Sequence, residues 1–266
     1  MTHDSLAGQF RFAGALITTS FRAALALRGS FWLQLGFMFL NNLCFFVFWW
    51  VLFARVGQVR GWSVHEVELL VGVSAASFGL AQVVAGGARH ISRWVDEGEL
   101  DPLLVQPKPT WLYAVGSRSN PSGMGDILSG ALLMHWSGHV TASAVPLALL
   151  CVVCGALVFL GCALAFYSLA FWLAHTESLS RQVLDFTVLF STYPETLFSG
   201  FLRFVLFTAL PAGFVGYLPV RVLIGAQLTD LALLASGAAA FLGLGIWVFG
   251  RGLRRYASGS RFGVWG

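Results

Sequence analysis

The amino-acid sequence predicts an all-α polytopic membrane protein, and three observations lead there. Hydrophobic residues fill 57% of the 266 positions and charged residues only 11%, whereas a soluble domain covers itself with roughly 25% charged residues. Mean hydropathy is +0.76. Finally, residues 29–54 carry no charge, and the 50 residues from Ile127 to Thr176 hold no Asp, Glu, Lys or Arg. A helix needs only about 20 apolar residues to cross ~30 Å of hydrocarbon. Aromatic residues, at 15% with ten Trp and 24 Phe, suit lipid-facing surfaces and interfacial belts. A soluble enzyme or a soluble binding module is excluded.

All the elements belong to a single membrane domain over 1–266. Over 1–30, "FRFAGALITTSFRAALALRG" predicts an amphipathic helix lying at the cytoplasmic membrane surface. Its Arg11, Arg22 and Arg28 also argue against a cleavable signal or transit peptide. Span one is expected at 31–53, between Trp32 and Trp49-Trp50. Span two, 68–88, has Gly72, Ala75, Ala76 and Gly79 every three or four places, a pattern for close helix packing. The uncharged stretch after Ile127 is too long for one crossing; "HWSGHVTASAVP" supplies a turn, giving spans at 124–142 and 146–173. Span five is expected at 194–211, with Pro194 in its first turn, and span six at 228–249, making six transmembrane helices.

Placing the N-terminus inside puts thirteen of the sixteen basic residues on or near the cytoplasmic side and leaves Arg55, Arg60 and Arg221 outside. The positive-inside rule favours that topology, with both termini cytoplasmic. Residues 89–122 then form a cytoplasmic loop. Within it, "ISRWVDEGELDPLLVQPKP" (91–109) holds four of the twelve acidic residues, Asp96, Glu97, Glu99 and Asp101. Span two is expected to continue into water as "ARHISRWVDE" and to stop at Gly98, which reaches the left-handed conformation freely. In "ELDPLLVQP", Asp101 is placed to cap, Pro102 to occupy the first helical position, and Pro107 to end the element after Leu103 and Leu104. Two explanations are open. The leucines pack under the protein's own spans, or the element docks a cytoplasmic partner through an apolar centre and charged rim.

"DEGELDPLLVQPKPTWLY" resembles the cytoplasmic loop of bacterial type 2 ABC exporter permeases, in particular the subset associated with daunorubicin-type ATPases. The resemblance extends through "GDILSGALL", "SLAFWLAHTESL" and "TYPETLFSGFLRFVLFTALPAGFVGYLPVRVLIG". It implies a permease subunit in a bacterial cell (inner) membrane, paired with an identical or related second permease. A separate cytoplasmic ABC ATPase would bind ATP and Mg. Glu97, Gly98, Glu99, Leu100, Asp101, Pro102, Leu103 and Leu104 would be the ATPase-coupling helix, and Pro211 to Ile224 a short outer re-entrant segment. The partners expected are that ATPase, the second permease and the lipid bilayer, and no nucleic acid. The cargo class implied is a hydrophobic or amphiphilic drug, toxin or lipid-like molecule.

An outside energy source is also required by the residues themselves. A GxxxxGK[ST] phosphate loop needs a lysine behind glycines. The only lysine here is Lys108, in "QPKPT". The chain is therefore expected to have no catalytic site and no cofactor of its own. An ATP-independent secondary transporter or channel is the alternative; it would want ionisable residues near the bilayer midplane, and the spans offer few beyond Arg203. A membrane enzyme lacks a nucleophile–base pair at depth.

Other candidates carry less. Cys44, Cys151, Cys154 and Cys162 all lie in apolar runs, so no disulfide framework is indicated, and the Cys151/Cys154 CxxC reads as small buried hydrophobes. His135 and His139 have the spacing of a helical zinc pair, but Trp136 stands where HExxH needs Glu. Asn41 and Asn42 lie mid-span and need partners, either across helices or along a substrate route. Arg203 is expected to snorkel to the cytoplasmic interface, or else to pair with Glu195 or Asp185 or meet an anionic substrate. Asp230 sits at a helix N-terminus, where an acid is favourable.

Overall fold

The computed structural model describes residues 6–26, 28–106 and 109–256, and its regular elements are helices apart from one antiparallel bridge, Val59 to Trp62. Pro107 and Lys108, residues 1–5 and the tail from 257 lie outside the described residues. Helix α1 (Leu6–Ala26) precedes α2 (Arg28–Val56). The 29 residues of α2 span about 43 Å. Trp32, Phe37, Leu40, Phe48 and Trp50 are exposed on it, while Phe46, Trp49 and Phe53 are buried. A turn through Gly57 and Gly61, both at positive φ, leads to α3 (Val64–Ala85). The start of α3 is a capping box: the Ser63 N–H donates to Glu66 Oε2 at 2.7 Å and the Glu66 N–H to Ser63 Oγ at 3.3 Å.

The expected continuation of span two is observed. A 3-10 turn (Gly86–His90) joins α3 to α4 (Ile91–Glu97), and Gly98 ends it at φ 73 with its N–H returning to Trp94 and Val95 carbonyls. Then come α5 (Asp101–Leu104), α6 (Thr110–Gly116) and α7 (Ser122–Trp136). The expected glycine packing is also observed, between α3 and α7. A Cβ on Gly72 would lie 2.9 Å from the Gly130 carbonyl oxygen, and one on Gly79 would lie 2.7 Å from Asp126 Cβ. Helix α8 (Val145–Tyr167) runs into a 3-10 turn (Ser168–Phe171) and is succeeded by α9 (Glu177–Ser191).

Among the described residues, four helical runs are long and apolar enough to cross a membrane: 28–56, 64–97, 145–171 and 228–253. A bent pair raises the number to five at most. Two of the expected helices have other bounds in the structure. The helix placed at 124–142 is α7, only 15 residues long. Ser137 Oγ bonds the Met134 carbonyl and Gly138 turns at φ 71, so the helix stops at Trp136. The span placed at 194–211 is not one helix. Pro194 is extended at ψ 133 ahead of a 3-10 turn (Glu195–Leu197), Ser199 is extended, and Gly200 has φ 59.

Beyond that break lie α10 (Gly200–Thr208), a π-turn (Gly213–Tyr217), α11 (Leu218–Gly225) and α12 (Leu228–Leu253), with a 74° bend between α10 and the segment 213–225. Arg60 of the α2–α3 turn donates to the Thr196 carbonyl at 2.9 Å, and Arg221 of α11 pairs with Asp230 at 2.9 Å at the start of α12. Both ends of the bent pair thus sit at the end of the bundle opposite α4–α5. Between them Phe214 reaches in to meet Phe241, near the middle of α12, edge to face. The segment expected to be re-entrant, Pro211–Ile224, forms the second arm of this bent pair, and α10 is the first.

The chain approaches that end through α9, whose last residue reaches the middle of α3, and then through the extended residues that precede the 3-10 turn at Glu195–Leu197. The bundle-facing side of α9 is small and polar: Ser180, Thr187 and Ser191 are buried, and Ser180 Oγ bonds the Phe166 carbonyl at 2.8 Å. Leu179 and Phe186 are exposed. Its last carbonyl accepts from Ser74 Oγ at 2.9 Å, near the middle of α3.

Candidate functional site

The knuckle below the bundle is built on α4 and α5. Leu100 takes helical angles and is wholly buried, so it becomes the residue preceding α5; Asp101 starts the helix instead of capping it, and Pro102 moves one place further in. Leu103 is half-buried and packs on the buried cluster that includes Ile91, Leu100 and Ala114. Only Leu104 and Val105, 41% and 82% exposed, project an apolar surface. Leu103 thus packs under the protein's own helices, while Leu104 faces outward. The short helix must spend one leucine on anchoring, and Val105 takes its place at the surface. Glu99 and Asp96 are exposed beside them, and Glu97 is held by Arg93 at 3.0 Å.

This knuckle is coupled to several helices. It continues α3 through α4. Ser92 Oγ donates to the Tyr167 carbonyl at the end of α8 at 2.8 Å, and the His175 N–H donates to Asp96 Oδ2 at 3.3 Å. Phe171 meets Phe249 of α12 edge to face, with ring centroids 5.8 Å apart. At the same end α1 lies on α6: Ser20 Oγ donates to the Gly116 carbonyl at 2.9 Å, and Phe12 stacks on Tyr113.

A second feature lies inside the bundle. Asn42 is the fifteenth of the 29 residues of α2, about 21 Å from either end. Its amide donates to Asp126 Oδ1 at 2.7 Å and to Ser129 Oγ at 2.8 Å on α7. The interhelical role expected for one of the two asparagines belongs to Asn42. Asn41 is exposed, and both line a cavity of about 380 Å³ between α2, α3, α7 and α9, with Asp126, Asp185 and Thr192. Another cavity, toward the α4 end, shares Phe78 and Asp185 with it and is bordered by Arg89 and Arg181.

Arg203 does not join this cavity. It stands on α10 at the end opposite α4–α5, pairs with Glu195 at 3.4 Å and is largely exposed. Its guanidinium turns to the Glu195 carboxylate and not toward the α4–α5 end. Pairing with Glu195, the other expectation, is what occurs. Asp230 pairs with Arg221 as well as opening α12. His139 falls beyond the end of α7, so it shares no helix face with His135. Cys151 and Cys154 are buried in the core of α8.

The sequence did not single out Asp126 and Thr192, and offered Asp185 only as a partner for Arg203. The charges of α9 disguised it as a loop, and Asp126 looked like a mere entry to span three. Its signal was present: a lone acid set among Gly123, Gly125, Ser129 and Gly130, residues that allow close helix contact. A family model described as ABC-2 family transporter protein matches residues 39–260. No curated protein and no solved structure gives a significant match.

Proposed function

Because the chain belongs to the ABC-2 family of transporter proteins, and is a multi-pass membrane permease of that kind, we propose that it is the transmembrane subunit of an ATP-driven exporter. Two permease subunits would stand on two ABC ATPase subunits, which bind ATP and Mg and do the hydrolysis. A bacterial inner membrane with both termini in the cytoplasm is the matching placement, and a daunorubicin-type ATPase the matching partner. The cargo is a hydrophobic or amphiphilic small molecule, released past the re-entrant α10–α11 pair.

The observation that carries this reading is the knuckle of residues 97–105. It offers Leu104 and Val105 to a partner, is ringed by acids, and is fastened through Leu100 and Leu103 to helices that line the bundle. A surface of that kind without a partner would expose apolar area to water at a cost of about 25 cal/mol per Å². A cytoplasmic ATPase that closes on nucleotide would move α5 and, through it, α3, α8 and α12.

The test is a pull-down of the tagged full-length chain in mild detergent. Recovery of a GxxxxGK[ST] ATPase, with a second permease copy or relative, is the expected result. A competing reading, ion-coupled transport without ATP, draws on the mid-bundle Asp126. It predicts transport in vesicles that survives removal of ATP and collapses with the ion gradient.

A further inference from the structure

The mid-bundle cavity holds a carboxyl group that the chain leaves half satisfied. Asp126 is 2% exposed. Its Oδ1 accepts from the Asn42 amide, while Oδ2 has no hydrogen-bond partner among the described residues. A carboxylate withdrawn from water stays charged only beside a counter-charge or several donors. No Lys, Arg or His lines the cavity, and its other ionisable wall residue is Asp185, of the same sign. The remaining wall is mostly apolar and includes Phe45 and Phe78, whose ring faces attract cations.

We propose that this cavity binds an organic cation, an amine or onium centre on an apolar body, with Asp126 as its counter-ion and Asn42 holding the carboxyl group in place. The identification of that cation as cargo rests on the export reading; its binding does not. At about 380 Å³ the cavity lies within the ~300–1,000 Å³ of small-molecule sites. A bare metal ion is poorly served. It needs oxygen ligands on all sides, and among the described residues no group of three His, Cys, Asp or Glu side chains comes together. Asp185 stands where the two cavities meet, so a cation arriving from the α4 end meets one acid before the other.

The test uses the full-length chain purified alone into lipid nanodiscs, with equilibrium dialysis against tetraphenylphosphonium and against tetraphenylborate, which has nearly the same shape and the opposite charge. The phosphonium is expected to bind saturably and the borate not. Asp126→Asn is expected to weaken phosphonium binding about tenfold or more, and Asp126→Glu by no more than about threefold. Should Asp126→Asn fail to fold, Val188→Trp fills the cavity from α9 while leaving the Asn42–Asp126 bond intact, and it is expected to abolish the same binding. Equal binding of the two probes would overturn the proposal. So would wild-type affinity in folded Asp126→Asn or in Val188→Trp, or displacement of the phosphonium by sodium ions. No ATPase takes part in this assay, so absence of an ATPase from the native assembly would defeat the export reading alone.

Discussion

Replacing Leu104 and Val105 together by Asp tests where the docking surface lies. The two side chains are 41% and 82% exposed. Fully burying an aliphatic side chain contributes ~1.5–3 kcal/mol. Covering what is still exposed is then worth about 1 kcal/mol at Leu104 and about 1.6 kcal/mol at Val105. The double variant forfeits both and forces two carboxylates against the partner. The expected loss is at least about 2.5 kcal/mol, roughly seventyfold in Kd. Because neither side chain anchors the bundle, thermal stability is expected to stay at the wild-type value. The assay is a titration of the ATPase recovered with the wild-type chain against immobilised wild-type and variant chains, with a melting curve for each. Leu100→Ala is the internal contrast. That side chain is wholly buried, and its truncation is expected to cost about 2–5 kcal/mol of stability. A double variant that binds the ATPase with wild-type affinity would refute the reasoning.

Three further outcomes are expected. Gly72→Leu forces a side chain into the Gly130 carbonyl 2.9 Å from its Cβ and is expected to destabilise by about 1–3 kcal/mol or more, read by thermal unfolding in detergent, whereas Gly36→Ala meets nothing within 4 Å and is expected to be neutral. Asn42→Leu removes the donor to both Asp126 and Ser129 and is expected to cost about 1–3 kcal/mol by the same measurement. Arg203→Ala breaks only an exposed ion pair at 3.4 Å, so stability is expected to change by less than about 1 kcal/mol.

Much of the fold was legible because apolar length and glycine spacing are strong signals in a membrane. The runs around α2, α3, α8 and α12 announce themselves, and Gly72 and Gly79 already mark the side of α3 that α7 covers. The stop at Gly98 was readable for the same local reason, since the left-handed backbone there favours glycine. The chain between 177 and 211 was not. Helix α9 turns small hydroxyl residues toward the bundle and apolar ones outward, the reverse of a soluble amphipathic helix, and its Glu177, Arg181 and Asp185 lower its hydropathy. The more apolar segment after it looked like the crossing, although Pro194, Gly200 and Pro211 break it. At the knuckle, residue types alone located the short helix but not its orientation. Which leucine faces the partner depends on Leu100 being drawn into the cluster with Trp94 and Phe171. The Asp126 cavity needed α9 in place before its walls could be seen.

The most direct test of the central claim, that a separate ATPase grips the 97–105 knuckle, is a site-specific cross-link from Val105→Cys in intact native membranes. The background thiols interfere little, since Cys151, Cys154 and Cys162 are buried and Cys44 lies on α2, far from the knuckle. The account predicts a cross-linked product containing one copy of this chain and a nucleotide-binding ATPase, lost when the cysteine is moved to Arg203. A product with no ATPase, or labelling of Val105→Cys by an impermeant reagent added outside intact cells, would contradict it.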